Sequence, residues 1–288
     1  MRKLPNFEVI LYMSSDEFYM KRALQLAKNG AATAKPNPSV GAVIVYNNKI
    51  IGEGYTSVYG GPHAEVNAIA SVKDQSQLKK STMYVTLEPC SHFGKTPPCA
   101  DLLVKHQLKR VVIGTLDSNS LVAGKGVERL QNNGILVSIG VLAVACRKHH
   151  RIFFTNQEKI RPYIILKWAE TLDGFIAPKT RSDTKPVWIS NTVSQQIVHQ
   201  WRANYHAILV GTNTVLEDNP TLNVRSFTGV NPIRVVLDRQ LRIPKHYTVL
   251  DGSVKTINNT SNYTGTGLNG SRDRDLEIFY RANPLYAN

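Results

Sequence analysis

Cysteine is scarce in this 288-residue sequence: only Cys90, Cys99 and Cys146 occur. Three is an odd number and too few for a disulfide framework, which excludes a fully paired secreted scaffold. Long apolar runs are missing too. The Val9 to Met13 stretch is shorter than a signal-peptide core, and nothing approaches the ~18 apolar residues of a membrane helix. The expectation is a soluble protein of a reducing, cytoplasmic setting, in which the Asn-x-Thr triplets at Asn258 and Asn262 need no glycan. Acidic residues are few, 21 against 35 Lys and Arg, for a formal net charge of +14. That excess asks for an anionic partner: nucleic acid, a membrane surface or a phosphorylated small molecule. Charge alone does not choose among them. With only 19% charged residues, an ordered chain is expected rather than wholesale disorder, and the length suggests two domains.

Strand and helix signals alternate along the first half. Ser14-Ser15-Asp16-Glu17 is a capping box, and Met20, Ala23, Leu24 and Ala27 mark one helical face. Strands are expected at 40–46 and 50–54 around an Asn47-Asn48-Lys49 turn, then at 83–87, 110–115 and 135–140. Helices are expected at 64–72, from Pro89, at 99–105 and at 127–132. The alternation predicts a three-layer α/β domain closing near residue 145. Residues 146–160 read as a basic helical linker. A second α/β pattern has strands at 163–168, 207–211 and 233–237 and a helix at 190–202. In 251–272, fifteen of 22 residues are Gly, Ser, Thr or Asn, which predicts a long loop or disorder.

The strongest chemical signal is Pro62-His63-Ala64-Glu65 followed by Glu88-Pro89-Cys90 and, after eight intervening residues, Cys99. One imidazole and two thiolates suit zinc, and three protein ligands leave a position for water. His63 and Cys90 are both expected at helix N-termini, where the dipole favours thiolate. Glu65 follows His63 too closely to be a natural fourth ligand and is placed to move protons, the acid/base role assigned in zinc deaminases with an H-x-E and P-C-x-x-C signature. Cys146 lacks such partners and reads as a packed thiol.

On these residues the N-terminal half resembles the cytidine deaminase superfamily. The eight-residue spacing between Cys90 and Cys99, Lys35-Pro36-Asn37-Pro38-Ser39-Val40-Gly41-Ala42, and Asp117-Ser118-Asn119 leading to Ala123-Gly124-Lys125-Gly126 resemble its bifunctional riboflavin-biosynthesis deaminase–reductase branch. The resemblance implies hydrolytic removal of an exocyclic amine from a phosphoribosylated diaminopyrimidine. Asn37 would then hold the pyrimidine edge, and Lys95 the phosphate. Asp117 and Asn119, beyond a strand end, would meet the ribose and phosphate side. Glu88 would orient the site rather than react.

The second half carries Lys167-Trp168-Ala169-Glu170-Thr171-Leu172-Asp173-Gly174, Trp188-Ile189-Ser190, a run from Gly211 to Leu222, Arg225, and Arg234 to Asp238. In that order they resemble the reductase half of the same family, which has a dihydrofolate-reductase-like fold. Its chemistry is NADPH-dependent reduction of a ribosyl to a ribityl chain. Ala169, Trp188, Thr214 and Asp218 would meet NADPH, and Arg202, Leu222 and Arg225 the substrate. Asp218 would also stand near the carbon that accepts hydride, with Lys167 a further candidate. Pro186 stands where the family has a serine. The resemblance runs to about residue 244, and a late acidic strand and Gly-Pro loop are not found after Tyr247, so this domain is expected to be incomplete. The organisation implied is a deaminase domain at 1–145, the linker at 146–160 and a reductase domain at 161–288 with a low-complexity tail from 251. Two alternatives stay open: a deaminase with a non-catalytic C-terminal module, and a nucleic-acid deaminase that uses the positive charge. The two-domain reading favours phosphorylated small molecules over nucleic acid or membrane, and is compatible with a homo-oligomer.

Overall fold

A computed structural model describes residues 14–119, 122–180 and 188–259. The chain divides into two compact units, Met1–Gly30 with Ser39–Arg151, and Ala31–Pro38 with Ile152–Asn288.

The first unit opens with α1 (Ser15–Asn29). Both halves of its capping box form: Ser14 Oγ accepts from the Glu17 amide, and Glu17 Oε2 accepts from the Ser14 amide, each at 3.2 Å. Its buried face is Tyr19, Met20, Ala23, Leu26 and Ala27, so Leu26 takes the inward place expected for Leu24. Strands β1 (Gly41–Tyr46) and β2 (Lys49–Tyr55) pair antiparallel around Asn47 and Asn48. Both turn residues have positive φ, 48° and 58°, which matches the twist of a tight hairpin. There follow α2 (Ala64–Ala70), β3 (Thr82–Val85), α3 (Cys99–Lys105), β4 (Arg110–Ile113), α4 (Lys125–Asn132), β5 (Leu136–Ile139) and α5 (Ala143–His149); α6 (Arg151–Lys159) starts at the last residue of this unit and otherwise belongs to the second.

The sheet order is β2-β1-β3-β4-β5, antiparallel at β2-β1-β3 and parallel at β3-β4-β5. Period-two alternation builds the layers. Ala42, Ile44, Met83, Val85, Val111 and Ile113 pack on one face with α2, α3 and α4. Val43, Val45, Tyr84 and Val112 face the other way, onto α1 and Cys146 of α5. The three-layer reading is therefore correct. Cys146 is the packed thiol expected, fully buried, and burial pushes its pKa up to about 12. Residues 146–160 are helical as expected, in α5 and α6, and Cys146 and His150 are buried within the first unit.

In the second unit, α7 (Thr192–Asn204) is capped by Asn191, whose Oδ1 accepts the Ser194 amide at 2.9 Å. Strand β6 (Ala207–Gly211), α8 (Thr212–Asp218), β7 (Ile233–Leu237), a 3-10 turn at Thr248–Leu250 and β8 (Thr256–Asn259) follow. The strands are parallel in the order β6-β7-β8, over a core of Val215, Leu222, Val236, Ile243 and Val249. Two expectations need correction. Residues 163–168 are not a strand: they have no ladder partner among the described residues, and Ile164 and Leu166 are 66% and 79% exposed. Strand identity requires a neighbour as well as β-branched composition. Conversely, 256–259 is not loop but β8, because ladder hydrogen bonds are made by backbone whatever the composition, and Ile257 supplies one buried side chain. The rest of the polar stretch, 260–272, the tail beyond it, and Pro186 lie outside the described residues. Among those described, no helix is long and apolar enough to cross a membrane.

Candidate functional site

Helix α2 lies directly against the first hairpin because β2 carries glycine where the two meet. A Cβ on Gly54 would fall 2.3 Å from the Ala68 nitrogen, and one on Gly52 2.5 Å from the Ala68 oxygen. That approach fixes His63, the N-cap of α2, and Glu65 in its first turn. Cys99 is the first residue of α3. Cys90 sits in irregular chain after β3, so the helix expected from Pro89 does not form. The helix N-terminus nevertheless reaches Cys90: its Sγ accepts from the Cys99 amide at 3.3 Å, and its carbonyl accepts from the Ala100 amide at 3.0 Å.

His63 Nδ1 lies 3.6 Å from Cys90 Sγ and 3.3 Å from Cys99 Sγ, and the three donor atoms fall within 4.8 Å of one another. Two sulfurs and an imidazole nitrogen, half-buried to buried, form a donor set of the kind zinc takes. The hydrogen bond from Cys99, with help from His63, holds the Cys90 thiol well below its ordinary pKa, while the same bond pushes Cys99 up. Glu65 is buried, and burial raises its carboxyl to about 7; the Cys99 thiol is its hydrogen-bond partner. A carboxyl poised near neutrality beside the donor set is suited to taking and returning a proton.

Glu88 is buried and accepts four backbone amides: Asp117 (3.2 Å) and Gly124 (3.1 Å) at Oε2, Gly126 (3.0 Å) and Val127 (3.3 Å) at Oε1. Asp117 in turn accepts the Asn119 amide at 2.8 Å, and its carboxyl is raised to about 6 by burial, with smaller contributions from Glu88 and Cys90. Lys95 is exposed, and its ammonium stands 4.0 Å from the centre of the Tyr59 ring, in the loop that leads to His63. Tyr59 was not anticipated, since an isolated loop aromatic carries no sequence signal. Asn37 belongs to the segment Ala31–Pro38, grouped with the second unit.

Arg202 and Arg225 come together in the second unit. Arg202 Nη1 donates to the Asn223 carbonyl at 3.0 Å, and Arg225 Nη1 to Asn223 Oδ1 at 2.7 Å and to Thr221 Oγ1. Burial first, then the Arg225 charge, lower the Arg202 pKa, and an anion at this place would relieve that repulsion. His199 was missed, though it stands three residues before Arg202 on the same helix face. It is buried, and its Nδ1 accepts the Arg225 amide at 3.1 Å. Leu222 has φ of 52° and its side chain lies in the core, so only its backbone is left to meet a ligand. Thr214 is exposed in the first turn of α8, and Asp218 ends that helix. Gly211, which caps α8, has open space where a Cβ would stand. Trp188 is exposed, while Ala169 is half-buried in irregular chain with Lys167 and Trp168 nearby in sequence. Asp238, at the end of β7, accepts from Thr212 Oγ1 and the amides of Arg242 and Ile243, which ties the loop after β7 to the start of α8.

Comparison with known proteins places both units. Residues 13–115 match the family model described as the cytidine and deoxycytidylate deaminase zinc-binding region, and residues 162–268 match the RibD C-terminal domain. The riboflavin biosynthesis protein RibD of Aquifex aeolicus is 47% identical over 82% of this chain and 65% of its own length. That of Escherichia coli K12 is 42% identical over 81% of this chain and 66% of its own. Among solved structures, the Thermotoga maritima diaminohydroxyphosphoribosylaminopyrimidine deaminase/5-amino-6-(5-phosphoribosylamino)uracil reductase superposes with TM-score 0.81. It is 41% identical, with 93% of this chain and 78% of that one covered. Acinetobacter baumannii RibD gives 0.78 at 40% identity, covering 85% and 69%. The chain spans 65% and 60% of the length of the first two curated relatives it matches. A deaminase zinc-binding region followed by a RibD C-terminal domain, at this identity over most of the chain, means that the chain belongs to the RibD family.

Proposed function

We propose that the protein is a bifunctional enzyme of riboflavin biosynthesis. It would deaminate 2,5-diamino-6-(5-phosphoribosylamino)pyrimidin-4-one and then reduce the ribosyl side chain with NADPH. The observation that carries the first activity is the cluster of His63, Cys90 and Cys99 beside buried Glu65. The three side chains would hold zinc, with Cys90 already favoured as thiolate. Zinc with an open ligand position makes water nucleophilic at neutral pH. Glu65 would take the proton of that water and pass it to the departing amine, since its carboxyl sits near neutrality and beside Cys99. Asn37 would orient the pyrimidine edge with its paired donor and acceptor. Lys95, held on Tyr59, would meet the phosphate, and Asp117 and Asn119 the ribose side.

For the second activity, Arg202 and Arg225 would bind the substrate phosphate and the Leu222 backbone its edge. Ala169, Trp188, Thr214 and Asp218 would hold NADPH, which supplies hydride. Thr214 is exposed at the opening of α8, and Gly211 leaves room for close approach. Asp218 would stand near the carbon that accepts hydride. The proposed division is deaminase at 1–145 and reductase at 161–288. The free cysteines fit a cytoplasmic enzyme, and the paired arginines fit a phosphorylated small molecule better than a nucleic-acid backbone.

The test supplies the diaminopyrimidine phosphate with and without NADPH and follows ammonia release and NADPH oxidation separately. Ammonia in both cases, with NADPH consumed only afterwards, is the expected result. Ammonia without NADPH oxidation would make the second unit a non-catalytic module. Salt-sensitive RNA deamination with no release from the free pyrimidine would overturn the reading altogether.

A further inference from the structure

Glu88 is a buried carboxylate whose four hydrogen-bond partners are backbone amides. It follows β3 two residues before Cys90, and its own amide donates to the Thr115 carbonyl at 3.0 Å, joining the ends of β3 and β4. Its oxygens accept amides from two separate stretches, Asp117 after β4 and Gly124, Gly126 and Val127 at the start of α4. An ionised carboxylate has about four lone-pair positions, and four amides use them. Its acceptor positions are taken up by the chain, which suits Glu88 to holding backbone rather than to moving a proton.

The packing around it is equally specific. A Cβ on Gly126 would stand 2.2 Å from the Pro89 carbonyl oxygen and 3.0 Å from Glu88 Oε1. Glycine there lets the first turn of α4 rest directly on the Glu88-Pro89 peptide. Asp117, held by its amide, then accepts the Asn119 amide, and the Asn119 carbonyl accepts from Val122 and Ala123 at 2.9 and 2.8 Å. The chain of bonds runs from Glu88 to Asp117 to Asn119.

We propose that Glu88 is a positioning residue for substrate binding: it fixes Asp117, Asn119 and the start of α4 relative to the Cys90 segment, so that the ribose and phosphate side of the substrate meets a preformed surface. The inference rests on the reading above in taking Asp117 and Asn119 as substrate contacts. It goes beyond it by giving the residue outside the zinc set a binding role and no role in metal retention or proton transfer.

The test is Glu88→Gln in the full-length, zinc-loaded protein. The amide keeps the volume but turns one acceptor oxygen into a donor that faces two N–H groups. The expected result is a KM for deamination raised by about tenfold or more, the effect of roughly one lost hydrogen bond to a charged group. The kcat should stay within about threefold, and zinc content should be unchanged. Amide exchange at Gly124, Gly126 and Val127 should quicken while that of α2 stays as in the parent. An unchanged KM with unchanged exchange would overturn the proposal, as would loss of zinc or a fall confined to kcat. If the parent protein releases no ammonia, the functional reading fails, and the exchange measurement still decides whether Glu88 holds these amides. If Glu88→Gln does not fold, Gly126→Ala, whose methyl would press on the Pro89 carbonyl and Glu88 Oε1, displaces the helix start while leaving the charge in place and carries the same KM and exchange tests, with the same outcomes for and against.

Discussion

The first amide of α3, that of Cys99, points at the sulfur of Cys90, 3.3 Å away, although eight residues separate the two in sequence. The arrangement gives Cys90 the benefit of a helix start without belonging to the helix. It also delivers both sulfurs to His63 from opposite ends of one loop. Cys99→Ser would keep the helix but replace one thiolate donor by a poor one. Metal analysis after dialysis is expected to show most of the zinc lost, and full occupancy would remove Cys99 from the ligand set.

Glu65→Gln should have the reverse signature. The glutamine is isosteric and neutral, so burying it costs no more than burying a carboxyl already raised to about 7. Zinc content and thermal midpoint should be retained, while ammonia release falls by about 10²-fold or more, the usual scale of acid/base catalysis. A rate within tenfold of the parent would exclude the proton-transfer role.

Gly54 links the fold to the site. A methyl group there meets the backbone of α2 at 2.3 and 2.4 Å, and backbone does not yield as a flexible side chain does. Gly54→Ala is expected to lower stability by about 1–3 kcal/mol, the cost of overpacking. Because α2 carries His63 and Glu65, zinc affinity should fall with it. Denaturant unfolding combined with metal titration checks both.

Arg225→Ala should separate the two activities. It removes a guanidinium from the pair with Arg202 and leaves the first unit untouched. NADPH oxidation is expected to show a KM raised tenfold or more, about 1.4 kcal/mol or above, with ammonia release unchanged. Equal loss of both activities would count against a separate second site.

Stability should also depend on pH through Asp16. Arg110 donates to both of its oxygens, at 3.0 and 2.8 Å, and Tyr84 donates at 2.8 Å. The Arg110 hydrogen bonds, against the cost of burial, hold the Asp16 pKa below its ordinary value. A depressed carboxylate contributes stability that is full above the unfolded pKa of about 4 and is lost as pH falls through the folded value. The pair is partly exposed, so about 1 kcal/mol is expected. Asp16→Asn should flatten that part of the acid unfolding curve, and an identical curve would show the pair to be energetically silent.

Local chemistry explains what was legible beforehand. The Ser14–Glu17 box acts within one turn, so its four residues specify it, and Asn47-Asn48 specifies a hairpin because both tolerate positive φ. The His63, Glu65, Cys90 and Cys99 set was legible because each residue type is rare and the chemistry of zinc demands those donors. The errors came where a neighbour decides. Residues 163–168 have strand composition but no ladder, and 256–259 have loop composition but a ladder along β7. Cys90 was expected to open a helix and instead receives one from Cys99.

The amino-acid sequence by itself therefore determined most elements of the first unit, their alternating layers and the identity of the candidate ligands and acid, because these depend on local propensity, periodicity and donor chemistry. Only the tertiary structure decided that Glu88 spends its carboxylate on four amides, that His199 joins Arg202 and Arg225, and that the Leu222 side chain is core. Each of those depends on groups brought together from distant parts of the chain, and a distance between them is defined only once the chain is folded.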